Sequence, residues 1–174
     1  MSRSSAVLMI CLLATCAAAS EPKILFEENF SGELEKGWSW VREDAKSWRI
    51  ENGALFVTAN GGSMWRSLNN YKNLLMRPAP AEPKVGFQVE VLLDNEPKKQ
   101  FEHGGLALRY DDDNYVVFNK EFLGKDELLL ISEAGAVPAL PGVTTAYEPR
   151  EVWLRLTVTQ GKVIGHYRET DIHP

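Results

Sequence analysis

Along most of this chain, apolar residues recur at every second position rather than at every third or fourth. Phe87, Val89, Val91 and Leu93 alternate with Gln88, Glu90, Leu92 and Asp94, which gives one apolar face and one mostly polar face. Val152, Leu154, Leu156 and Val158 alternate in the same way with Trp153, Arg155, Thr157 and Thr159. Period two marks half-buried strands, because successive side chains point to opposite sides of a sheet. A further run, Leu106, Leu108 and Tyr110, breaks at Asp111-Asp112-Asp113-Asn114 and resumes at Val116 and Phe118. No stretch longer than about ten residues keeps the 3.6-residue period of a helix.

Turn residues punctuate these runs and fix how they pair. Asn52-Gly53 tolerates the positive φ of a two-residue hairpin turn, so Trp48–Ile50 and Leu55–Val57 read as a hairpin. Gln160-Gly161 sets Val158 opposite Val163 and Leu154 opposite Tyr167, with Arg155 beside His166 and Trp153 beside Arg168 on the other face. A three-residue loop between the two earlier strands pairs Leu108 with Phe118. The opposite face then presents His103, Ala107, Arg109, Tyr115, Asn119 and Glu121. Asn60–Ser63, Leu68–Met76, Arg77–Pro83 and Pro138–Thr145 read as loops, none long enough to link domains. Many short strands with regular turns predict an all-β fold, an antiparallel β-sandwich or barrel. Residues 21–174 form one domain.

The first twenty residues stand apart from that pattern. One arginine, the apolar run Ala6–Ala14 and the small residues Ala17-Ala18-Ala19 follow the order of a secretory signal peptide. Cleavage after Ala19 or Ser20 places the product outside the cell or in a periplasm. A lipoprotein signal acylated at Cys16 is the weaker alternative, since Thr15 fits poorly before such a cysteine. No later segment is apolar enough for a transmembrane span. Both cysteines, Cys11 and Cys16, fall inside the leader, so the remaining domain relies on its core rather than on disulfides. Net charge is −5, which disfavours nucleic-acid binding by phosphate neutralisation.

The order of landmarks resembles a bacterial family with a concanavalin A-like, laminin-G-like jelly roll, similar to the C-terminal module of β-xylosidases. Phe26–Phe30, Gly37-Trp38-Ser39-Trp40 and Trp48–Leu55 carry the first part of that likeness. Asn73–Pro80, Phe87–Val91, Gly104–Leu108 and Asp111–Val116 follow in order, and Trp153–Leu156 and Val163–Tyr167 close it. The resemblance implies a concanavalin A-like jelly roll and an association with glycans. Such modules usually continue with a final short strand, so the ending at Asp171–Pro174 predicts an exposed sheet edge and weak self-association through it.

Candidate chemistry points to binding more than to catalysis. The paired carboxylates that concanavalin-like glycanases carry on one strand are missing, and Glu90, Asp94 and Glu96 approach that spacing only where Pro97 leaves the strand. Three histidines, His103, His166 and His173, have no metal-ligand spacing, and no nucleophile elbow occurs. Asp111–Asn114 offers oxygens suited to structural calcium but lacks the EF-hand pattern and reads first as a turn, so no cofactor is expected. The expected function is non-catalytic binding of an oligo- or polysaccharide on a concave sheet face with aromatic platforms. Its residues are Trp65, His103, Arg109, Asn119, Glu121, Arg155 and His166. The rival readings are a glycan hydrolase using Glu90 and Glu121, and a domain that binds protein partners through exposed aromatics.

Overall fold

The computed structural model describes residues 23–80 and 86–170, so the leader and Cys16 lie outside the described residues. Twelve strands and no helix occur among them. Short strands open the chain: β1 (Ser39–Val41), β2 (Trp48–Glu51), β3 (Ala54–Val57) and β4 (Leu74–Met76). Longer ones follow: β5 (Phe87–Asp94), β6 (His103–Arg109), β7 (Tyr115–Phe122) and β8 (Asp126–Ala134). The last four are β9 (Val137–Pro138), β10 (Val143–Ala146), β11 (Glu151–Thr159) and β12 (Lys162–Glu169). All pairings are antiparallel.

Two sheets carry the core. One runs β10-β8-β7-β6, with β9 also on β8; the other runs β12-β11-β5. From the first sheet, Leu106, Leu108, Phe118, Leu128 and Leu130 point inward. They meet Val89, Val91, Leu93, Val152, Leu154, Leu156 and Val163 from the second. Val152, Leu154 and Leu156 are completely removed from solvent. Facing sheets closed over one apolar layer make this a β-sandwich. The remaining pairs, β1-β4 and β2-β3, form separate ribbons. Trp40 and Trp48 join these ribbons, with ring centroids 5.0 Å apart.

Two hairpin registers follow the turn chemistry. Asn52 and Gly53 have φ of 52° and 75°, and Trp48 pairs with Val57. Gln160 and Gly161, at 46° and 74°, place Arg155 opposite His166 and Trp153 opposite Arg168. The β6-β7 hairpin differs from expectation: Leu108 pairs with Val116 and Leu106 with Phe118, so the loop has five residues rather than three. The shift is two residues, which keeps every side chain on its expected face. Two segments read as loops contain strands. Leu74–Met76 pairs with β1, and the stretch after Pro138 yields β10 on the edge of β8.

One buried cation ties the inner layer together. Lys120 points inward from β7 and is fully buried. Its Nζ donates to Asp126 Oδ2, the Asn95 carbonyl and the Pro149 carbonyl, each at 2.9 Å. Three donors therefore meet three acceptors, which compensates the cost of removing an ammonium from water.

Candidate functional site

The outward face of β6-β7-β8 gathers most of the residues singled out from sequence. His103 sits opposite Glu121, Gly105 opposite Asn119, Ala107 opposite Val117, and Arg109 opposite Tyr115. Gly105 lets the two strands close in: a Cβ there would lie 2.6 Å from Asn119 Cα. The polar residues are less exposed than an outward face implies. Asn119 is 3% exposed and Glu121 8%. Both stand on the non-core face that the alternation assigns them, and the fold buries them there.

Burial changes what these groups can do. Asn119 Nδ2 donates to Glu121 Oε2 at 3.3 Å, and Asn119 Oδ1 is buried without a partner. Loss of hydration pushes the Glu121 carboxyl above its ordinary range, while the nearby His103 pulls the other way. The amide holds the carboxyl in place and leaves one acceptor open. His103 itself is exposed, with Nδ1 2.9 Å from the Phe101 carbonyl, and can hydrogen-bond to a ligand.

At the other end of this face, the segment 63–73 folds over the sheet and is pinned side chain by side chain. Tyr115 Oη donates to the Met64 carbonyl at 3.0 Å, and the Arg66 amide donates to both oxygens of Glu133. Asn69 Nδ2 donates to Asp113 Oδ1, and Tyr71 Oη to Asp112 Oδ1, both at 2.7 Å. Asp112 also accepts from Arg109 at 2.7 Å and pairs with Arg42, whose guanidinium lies 4.6 Å from the centre of the Tyr71 ring. Hydrogen bonds from Arg42, then Arg109 and Tyr71, hold the Asp112 carboxyl far below the usual carboxylate range. Trp65 is carried at the rim by this segment, half-buried, its amide bonded to Ser63 Oγ at 2.9 Å.

The Asp111–Asn114 loop is therefore a hydrogen-bonding hub. Asp111 accepts from the Asp113 amide and from Asn114 Nδ2, and Asn114 Oδ1 accepts from the Gly135 amide. The residues missed from sequence are Tyr71 and Glu133, together with the ion-pairing role of Asp112, which the sequence places only in a turn. Their signal lies in contacts between segments tens of residues apart, which no local pattern contains.

Arg155 and His166 do not join this face. They point outward from β11 and β12, on the far side of the sandwich, where they line a small cavity with Glu90, Trp153, Tyr167 and Arg168. The seven residues thus form two separate surfaces. Glu90 and Glu121 likewise point outward from different sheets with the core between them, so they cannot flank one glycosidic bond. That removes the carboxylate pair of the hydrolase reading.

Comparison with known proteins agrees with this architecture. The family model of the β-xylosidase C-terminal concanavalin A-like domain matches residues 27–172. No curated protein matches the sequence. A crystal structure of the GH43 protein BlXynB from Bacillus licheniformis superposes with a TM-score of 0.73 at 17% identity, and a mutant form of it with 0.73 at 18%. In each case 88% of this chain is covered, and it spans 30% of the length of the other.

Proposed function

The chain belongs to the family of β-xylosidase C-terminal concanavalin A-like domains, and on that premise we propose that it binds carbohydrate without cleaving it, through the outward face of β6-β7-β8. One observation carries the reading. Four residues chosen from sequence, His103, Arg109, Asn119 and Glu121, stand together on that face, with Trp65 at its rim and Gly105 and Ala107 as a low floor. A sugar ring offers hydroxyls around a weakly apolar body, so its recognition needs donors and acceptors beside an aromatic surface. His103 and Glu121 supply hydrogen bonds at one end, with Asn119 orienting the carboxyl. Trp65 supplies ring surface at the other, held by the cluster around Asp112. Secretion, implied by the leader-like first twenty residues, would place such a module among extracellular or periplasmic polysaccharides.

Calorimetric titration of a panel of neutral oligosaccharides tests this, with reducing ends assayed in the same tubes. The expected result is weak binding without product, and a loss of about 1–3 kcal/mol for Trp65→Ala if the ring is an anchor. Release of reducing ends by the purified chain would restore the hydrolase reading. Absence of binding to every glycan by folded protein would favour the protein-partner reading instead.

A further inference from the structure

The opposite side of the sandwich has chemistry of its own, independent of the face just described. There, on β5-β11-β12, Arg155 Nε donates to Glu90 Oε2 at 2.7 Å, while the Arg168 guanidinium stands 3.7 Å from the other oxygen of the same carboxylate. Arg168 is not loose: its guanidinium lies 4.4 Å from the centre of the Trp153 ring. Cation–π stacking of this kind fixes the plane of the fork while leaving its N–H edge free. His166, exposed and directly across from Arg155, faces the same cavity of about 170 Å³, and Trp153 supplies its aromatic surface, whereas Tyr167 pairs with Leu154 and packs edge-on against Tyr147 on the inner side.

Charge decides what this cavity accepts. Two guanidiniums meet a single carboxylate, so one positive charge is left uncompensated in a chain of net charge −5. The other outward acids of this sheet, Asp94 and Glu151, stand opposite each other in the next row beyond Trp153, where Asp94 is taken up by Arg150. A guanidinium fork matches the two oxygens of a carboxylate, and charge-assisted bonds of this type are the strong ones. Aromatic surface beside the fork suits a ring rather than a bare ion.

We propose that the outward face of β5-β11-β12 is a second glycan site, selective for a carboxylate-bearing sugar, with Arg168 and His166 binding the uronate carboxylate. Glu90 serves as an internal competitor that holds Arg155 in place and keeps affinity for simple anions low.

The experiment titrates the full chain with oligogalacturonate, with a neutral oligosaccharide of equal length, and with a sulfated one. Oligogalacturonate should bind in preference to both, and more weakly as ionic strength rises. Arg168→Ala should weaken that binding by about tenfold or more, the size of one lost charge-assisted hydrogen bond, with an unchanged melting temperature. Glu90→Gln should tighten it by removing the competitor, an effect that a merely structural role for Glu90 would not produce. Trp65→Ala should leave it unchanged, so failure here and failure of the neutral-glycan reading are separable. The proposal is overturned if folded protein ignores oligogalacturonate, if Arg168→Ala binds it as the parent does, or if Arg168→Ala weakens the sulfated or neutral chain as much.

Discussion

Asp112 shows how much one side chain organises. It is the common acceptor for Arg42, Arg109 and Tyr71, three residues from three separate stretches of the chain. Asp112→Asn keeps the shape but removes the charge that two guanidiniums share. The expected cost is about 1–3 kcal/mol, toward the lower end because Arg42 is partly exposed and screened. The sign with pH follows from linkage. The folded carboxyl is held below its ordinary value of 3.8, so its contribution is complete above that value and is lost as pH falls beneath it. Thermal melts of parent and variant should therefore differ most near neutrality and converge in strong acid. A constant gap across that range would mean that the Asp112 charge has no share in stability. Sequence alone placed these aspartates in a turn, which is where they are. The ion cluster was not legible, because Arg42 and Tyr71 enter it from tens of residues away.

At the scale of elements, local chemistry decided what could be read. Where a turn is two residues long and carries Asn-Gly or Gln-Gly, the backbone demands positive φ and only one register closes, so β2-β3 and β11-β12 were fully legible. The β6-β7 connection is longer, and its polar residues satisfy one another through side chains rather than through a tight turn. Alternation fixes parity there but not register, which explains an error of two residues that left both faces intact. The same alternation licenses a prediction for the core. Leu156 is completely buried between Val89 on β5 and Gly165 on β12. Leu156→Ala should cost about 2–5 kcal/mol, the range for a large-to-small change in a packed interior, measurable by urea unfolding with an unchanged m-value. A loss below about half a kcal/mol would contradict the inward orientation of that face, since surface changes have that size. Burial of Asn119 and Glu121 escaped sequence reasoning for a different reason. An outward position on a strand does not fix exposure, because neighbouring strands can close on it, as β6 closes on Asn119 at Gly105, and such an approach exists only in the folded chain.

Viewed whole, the molecule is a slab with two chemically distinct outer faces and two eight-residue strands, β5 and β12, at the rims of the smaller sheet. The later of the two, β12, pairs with β11 on one side and has no strand on the other among the described residues. Its outer backbone groups form an eight-residue template for a second chain, and Ile164 and Tyr167 along it are each close to half exposed. Edges of this length are normally blunted by charge, and Lys162, His166, Arg168 and Glu169 provide some. The Arg168 guanidinium leans back over Trp153 on β11, which carries its charge away from the open side of the strand. Weak, reversible association through β12 is therefore expected, with apparent mass in light scattering rising with protein concentration. Ile164→Lys adds a charge at the centre of the edge, on the outward side, without touching the apolar layer, so it should suppress association and leave the melting temperature unchanged. Because β12 also carries Arg168 and His166, oligogalacturonate and self-association should compete for neighbouring surface. A parent protein that stays monodisperse at high concentration, with or without that ligand, would show that the charges already present suffice to protect the edge.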